Sequence, residues 1–312
     1  MFFTEDQNSL FSKHLITSPI LFLFLFYLCS LLIAAIATPL IFNFVVNWNI
    51  QSPNLLNTYF LHKGFVVFFE RIRLLALFLF LPALWKIYRR KICQPTFKRL
   101  DYKIFRSFLA LGVLLIGGIF AIKMLFLDFT LKAPSSFFLL RVLVGTLIIA
   151  LTEEWLFRGL IFKLLLQKMR PLFATIWSAL IFAYFHFRPP YALPTSHRLA
   201  TFSDGFYCLY EVIFHSLAGI SWFKFLIIFS FGYLLAMVYF YAQRLRAVIG
   251  LHVGVVFSLT IFKTCVSFPL RHPLFGSNDL FDSPLALSLI ILTIALTHWI
   301  GYDSQKSNAR NG

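Results

Sequence analysis

Apolar residues in this chain do not alternate with polar ones, and they do not keep to one stripe. They form long runs, separated by short basic connections. A run of about 20 apolar residues matches the hydrocarbon thickness of a bilayer. Backbone groups inside lipid must bond within their own segment, so such runs predict helices. Pro19 to Val46 carries no charge. Phe65 to Tyr88 is interrupted by Glu70, Arg71 and Arg73 but is clean from Leu74 to Trp85. Ile104 to Phe126, Phe137 to Glu154, Pro171 to Phe187, Phe225 to Gln243, Ala247 to Phe262 and Ser283 to Tyr302 follow. Pro171 opens its run at a position where a helix tolerates proline. The expectation is an all-α, polytopic membrane helical bundle of about eight transmembrane helices, or seven if Phe65 to Tyr88 only lies in the interface. No internal repeat or linker divides the chain, which reads as one integral membrane domain over 1–312. Residues 1–136 hold helices without a chemical motif. Residues 137–262 hold the candidate chemistry, and 263–312 hold a loop, the last helix and a polar tail.

Composition agrees: 60% of residues are hydrophobic, 13% are charged and the mean hydropathy is +0.82. A soluble fold of this size has too little interior to bury that much apolar surface. The net charge of +16 does not point to nucleic acid, because the basic residues sit between apolar segments. There they set topology and meet the lipid bilayer. The densest basic connection carries Lys86, Arg89, Arg90, Lys91, Lys98, Arg99, Lys103 and Arg106. The positive-inside rule puts it in the cytoplasm, and eight spans then put both termini there, at the inner membrane if the cell is bacterial. The longest loop, Arg188 to Ser221, falls outside, and its Glu211–His215 stretch could lie on or dip into the membrane surface. The first run follows Lys13 and is too long for a cleavable signal peptide. Cys29, Cys93, Cys208 and Cys265 are far apart and read as apolar fillers.

An ionisable residue within an apolar helix is a functional candidate by default. Glu153 and Glu154 are adjacent and follow an apolar run, and Arg158 stands four residues after Glu154. That spacing puts Glu154 and Arg158 on one face, where they can pair. Glu153 is rotated about 100° away and is free to face something else. The bland alternative is a helix end with a surface ion pair. His186 weighs against it. If the chain turns at Arg170–Pro171, Glu153 lies 17 residues before Arg170 and His186 lies 16 after it. Equal distances from the turn of a helix hairpin mean equal height, about 25 Å from the turn at 1.5 Å per residue. A carboxylate beside an imidazole in a poorly solvated site can hold and deprotonate water. His252 lies between Gly250 and Gly254, a small-xxx-small pattern for close helix packing. Packing there would carry its imidazole into the bundle, where it could donate to a developing oxyanion. His14, His62, His197 and His272 fall in loops or tails, and His298 has no acidic neighbour in sequence. Lys123, Arg141, Lys224 and Lys263 lie near helix ends and are expected to snorkel.

There is no HExxH, GxSxG, GxGD or P-loop motif. The ordered set Glu153-Glu154-x-x-x-Arg158, Phe182-x-x-x-His186 and His252 resembles the CAAX protease and bacteriocin-processing family. That family includes the type II CAAX prenyl endopeptidases and the bacterial Abi group. The likeness spans about residues 137–262. It implies an all-helical intramembrane endopeptidase acting on a membrane-associated protein or peptide. In that likeness Glu153 activates water with His186, Glu154 and Arg158 support them, Phe182 belongs to the second motif, and His252 serves the oxyanion site. The family's third motif usually carries Asn or Asp four residues after its histidine. Here that position is Val256, which donates no hydrogen bond.

The leading expectation is therefore a cofactor-free glutamate-type protease. Three alternatives stay open. One is a zinc enzyme using Glu153, Glu154, His186 and His252 as ligands. Another is a catalytically silent scaffold or immunity-type relative, to which Val256 points. The last is a transporter with a buried proton relay, which would need ionisable residues along a path rather than in one cluster.

Overall fold

A computed structural model describes residues 19–51, 64–92, 102–187, 199–215, 221–269, 271–277 and 280–311. The chain is an all-α, multi-pass membrane protein. Among the described residues eight helices form where the apolar runs lie: α1 (Pro19–Gln51), α2 (Gly64–Ile92), α3 (Tyr102–Phe126), α4 (Ser136–Leu166), α5 (Pro171–Phe185), α7 (Trp222–Ala242), α8 (Leu245–Cys265) and α9 (Pro284–Asn311). A short helix, α6 (Phe202–Tyr210), lies in the longest loop and continues into a π-helical turn, Glu211–His215. Among the described residues, six helices are long and apolar enough to cross a membrane: α1, α3, α4, α7, α8 and α9. The second run is not among them, as Glu70, Arg71 and Arg73 foreshadow. Helix α5 is apolar but shorter. The basic residues from Lys98 to Arg99, and His14, His62 and His197, lie outside the described residues.

The chain groups into two compact units. Unit 1 comprises Met1–Gln94 and Phe187–Ile220. In it α1 packs on both α2 and α6. The backbone at Gly205 approaches Ala35 so closely that a Cβ would collide with it. Asn43 exchanges two bonds with the backbone of Ala200, at 2.8 and 2.7 Å, and Thr201 with Asp204 caps α6. A buried ion pair, Arg73 Nη2 to Glu70 Oε2 at 2.6 Å, is joined by the Tyr27 hydroxyl.

Unit 2 comprises Pro95–His186 and Ser221–Gly312 and carries every candidate site residue. Its tightest pair is α3 against α8. A Cβ on Gly250 or Gly254 would strike the backbone of Phe105 or Leu109, and one on Gly112 would strike Leu251 and Val255. The small-xxx-small pattern of α8 therefore meets a third glycine on α3. Helix α8 also packs on α4 and α7, and α7 packs on α5 and α9. A two-residue antiparallel ribbon, Thr130–Leu131 with Val266–Ser267, ties the start of the α3–α4 connection to the end of α8. In α4 the residues Val142, Thr146, Ala150 and Glu154 are buried, while Leu140, Ile148 and Leu151 face outward. One inward stripe at spacing four thus leads to Glu154 and then to Arg158.

One expectation is corrected. Lys123 does not snorkel: its side chain is buried, its ammonium donates to the carbonyl of Ser277, and it lies 4.7 Å from the Phe268 ring. His298 meets the Tyr241 hydroxyl of α7 at 2.6 Å, a contact that its sequence neighbours do not provide.

Candidate active site

Helix α4 does not end at the two glutamates. From Trp155 to Phe162 it widens into a π-helix before closing with Lys163–Leu166. Widening of this kind, one extra residue per turn, is uncommon and recurs at functional sites. It falls directly after Glu153 and Glu154. Arg158 still returns over Glu154, with Nη1 donating to Oε1 at 2.9 Å.

This ion pair is not on a surface. Both side chains have no exposure to solvent. The second guanidinium arm, Nη2, donates to the carbonyl of Gly232 at 2.8 Å, and the guanidinium faces the Phe182 ring at 4.6 Å. Gly232 makes this possible: a Cβ there would fall 2.8 Å from the Phe182 ring. Sequence reasoning missed Gly232. The available signal was a lone glycine in the Phe-rich run Phe229-Ser230-Phe231-Gly232, which marks a close approach.

Glu154 Oε1 takes a second donor. His252 Nδ1 lies 2.6 Å away, across 98 positions of chain. His252 is itself buried and edge-on to the Phe231 ring at 5.5 Å. An ionised carboxylate only accepts, so Nδ1 carries the proton and Nε2 points away from Glu154. His186 is oriented in the same manner. Its Nδ1 lies 2.7 Å from the carbonyl of Phe182, which can only accept. The His186 ring also rests against the Phe182 ring, with centroids 4.2 Å apart.

Both free Nε2 atoms converge on one atom. Glu153 Oε2 lies 3.6 Å from His186 Nε2 and 3.8 Å from His252 Nε2. It is buried and makes no hydrogen bond among the described residues. Both separations exceed hydrogen-bond length. The Glu153 and His186 side chains are about 30% exposed, whereas Glu154, Arg158 and His252 are sealed. The result is a buried layer that orients and a half-open layer that can meet another molecule.

Val256 stands one turn beyond His252. It borders, together with His186 and His252, an apolar cavity of about 110 Å³. The hydroxyl of Thr260, a nearby candidate donor, is committed to the Val256 carbonyl at 2.8 Å. Among the described residues no three His, Cys, Asp or Glu side chains group as a metal-binding set. Glu154 Oε1 is occupied by Arg158 and His252.

No curated protein and no solved structure significantly matches the chain. Residues 134–258, which hold Glu153, Glu154, Arg158, Phe182, His186, His252 and Val256, match the family described as Rce1-like, type II CAAX prenyl endopeptidase Rce1-like, and over that segment the chain is similar to this family.

Proposed function

We propose that this protein is an intramembrane endopeptidase in which Glu153 activates water, without a metal. The observation that carries this reading is the convergence of His186 Nε2 and His252 Nε2 on the unpaired Glu153 Oε2. Neutral His186 and ionised Glu153 both present acceptors, separated by slightly more than a direct bond. A water between them can donate one proton to each. Glu153 takes the proton as the water oxygen attacks the peptide carbonyl carbon. It then passes that proton to the amide nitrogen as the C–N bond breaks, leaving a carboxylic acid and an amine. His252, when protonated, donates from Nε2 to the carbonyl oxygen while Glu154 holds its Nδ1. Arg158 holds Glu154 in place. The substrate is a membrane-associated protein or peptide, as the likeness to CAAX endopeptidases suggests. The basic connection from Lys86 to Arg106 faces the cytoplasm, and a cysteine placed at Lys98 escapes labelling from outside intact cells.

Purified protein in detergent, incubated with membrane-tethered peptides, tests the reaction. Cleavage by the wild type, unaffected by a chelator and abolished in Glu153→Gln, is the expected result. Loss of cleavage with chelator, restored by zinc, would replace this mechanism with the zinc reading. Val256 favours a second reading, the silent relative. Wild type and Glu153→Gln equally inert on every peptide would establish it.

A further inference from the structure

In unit 1, helix α6 is inside out for a helix in water. Its two carboxylates, Asp204 and Glu211, are buried against the unit together with Gly205, Cys208 and Val212. Its outward face carries Phe202, Phe206, Tyr210, Ile213 and Phe214, each 39–65% exposed and none charged. A surface helix of a soluble domain turns its apolar stripe to the core and its charges outward. The reverse arrangement is favourable only where the surroundings are themselves apolar. The depth of α6 follows from its neighbour. The membrane-length apolar stretch of α1 is Phe24–Trp48. Gly205 lies against the backbone of Ala35, which is 11 residues from one end of that stretch and 13 from the other. At 1.5 Å per residue these are about 16 and 20 Å, so the contact falls near the middle of the span and not at its rim. The entry to α6 suits the same surroundings. Ala200, just before the helix, has both backbone groups taken by the Asn43 side chain of α1, at 2.8 and 2.7 Å. The Thr201 N–H donates to Asp204 at 2.7 Å. Non-helical backbone at membrane depth needs such internal partners, because lipid offers none. Glu211 has His215 Nδ1 3.3 Å away, so neither carboxylate lacks a polar neighbour.

We propose that α6 and its π-helical turn form a re-entrant membrane helix, whose outward aromatic face is an interaction surface for lipid acyl chains near the bilayer midplane. The segment enters beside Asn43 of α1 and descends to the level of Ala35. A helix lying in the headgroup layer would turn its charges toward water, and α6 turns them toward its own unit. Its aromatic face adds to the exposed apolar surface of α1, where Leu32, Ile36 and Leu40 stand outward. This inference does not depend on the endopeptidase reading.

The test uses the full chain in phosphatidylcholine liposomes whose lipid carries a photoactivatable diazirine. One preparation has it at the end of an acyl chain and another at the headgroup, and adducts are mapped by mass spectrometry. Ile36, in the middle of the α1 span, and Trp48, at its end, serve as depth references. Acyl-end adducts on Phe206 and Tyr210, at a yield like that of Ile36 and above that of Trp48, are expected. Adducts from the headgroup probe alone would place α6 in the interface. No adduct on residues 202–214 from either probe, with Ile36 labelled, would mean that lipid does not reach the face. Either result overturns the proposal. A second measurement places a nitroxide at Phe206→Cys in a background of Cys29→Ala, Cys93→Ala, Cys208→Ala and Cys265→Ala. Oxygen concentrates in the bilayer core and a nickel chelate stays in water. The label should respond to oxygen and not to the chelate, as a label at Ile36→Cys does. A response to the chelate would show water over the face, and a response to neither would show protein, such as a second copy; both overturn the lipid surface. Should the alanine background fail to accumulate, the lipid cross-links on the unaltered chain decide alone.

Discussion

Among the described residues two carboxylate–guanidinium pairs are buried within long helices, one in each unit. In unit 1 Glu70 and Arg73 pair at 2.6 Å with spacing i,i+3, and Arg73 also reaches the Tyr27 hydroxyl. In unit 2 Glu154 and Arg158 pair at 2.9 Å with spacing i,i+4, and Glu154 is also bonded by His252. As ion pairs the two are alike. The residue beside each carboxylate separates them. Beside Glu70 stands Arg71, exposed and of opposite charge. Beside Glu154 stands Glu153, of like charge, half-open, with one oxygen facing two imidazoles and bonded to neither. An ion pair inside an apolar helix is therefore weak evidence of chemistry by itself, since two desolvated charges can simply neutralise one another. A second carboxylate that the pair does not satisfy is stronger evidence. On the proposed reading the buried Glu154–Arg158–His252 unit orients, and Glu153 is left to react.

The sharpest break of this comparison is Glu153→Gln. Removing a general base costs about 10²–10⁴ in rate, and because Glu153 makes no hydrogen bond that the fold depends on, the melting temperature should hardly move. Single-turnover cleavage beside a thermal unfolding curve reads both. A fall in melting temperature as large as that of Glu154→Gln would erase the distinction between the two glutamates.

Glu154→Gln comes next. It removes the carboxylate that pairs directly with the Arg158 cation in a sealed site, a break that costs about 3–5 kcal/mol, and it frees His252 to reorient. Stability and activity should both fall. Glu70→Gln is its counterpart in unit 1. It should lower stability through the same broken-pair physics, yet leave kcat per folded molecule near wild type, since no reacting group is touched. Unfolding midpoints with active-site-normalised rates decide the matter. A kcat loss in Glu70→Gln as deep as in Glu154→Gln would mean that the two pairs are not functionally distinct.

The smallest expected effect is that of Val256→Asn. An added donor near the carbonyl oxygen that stabilised the transition state by about 1.4 kcal/mol would raise the rate tenfold. The gain should stay below that, because the apolar wall does not orient an amide and an unpaired buried amide is costly. Any gain should vanish in the Glu153→Gln background. A rise that survived there would place the catalytic water elsewhere.

How much of this was legible in the sequence differs between elements and site. Among the described residues each of the eight apolar runs lies on a helix, and for the six long enough to cross a membrane lipid leaves the backbone no other way to satisfy its hydrogen bonds. The pairing of Glu154 with Arg158 was legible because a helix fixes spacing four onto one face. The meeting of Glu153 with His186 was legible as well, because a tight turn between two paired helices converts sequence distance into height. Gly250 and Gly254 announced close packing, but only the fold showed the partner to be Gly112 on α3. The bond from His252 to Glu154, the carbonyl of Gly232 under Arg158, the burial of Lys123 and the Tyr241–His298 contact were all decided by tertiary structure. The same holds for the π-helical widening after Glu154 and for the apolar cavity at Val256. These join residues tens of positions apart, or depend on how side chains from several helices fill one space. Local periodicity specifies which face a residue occupies, and only packing specifies what that face meets.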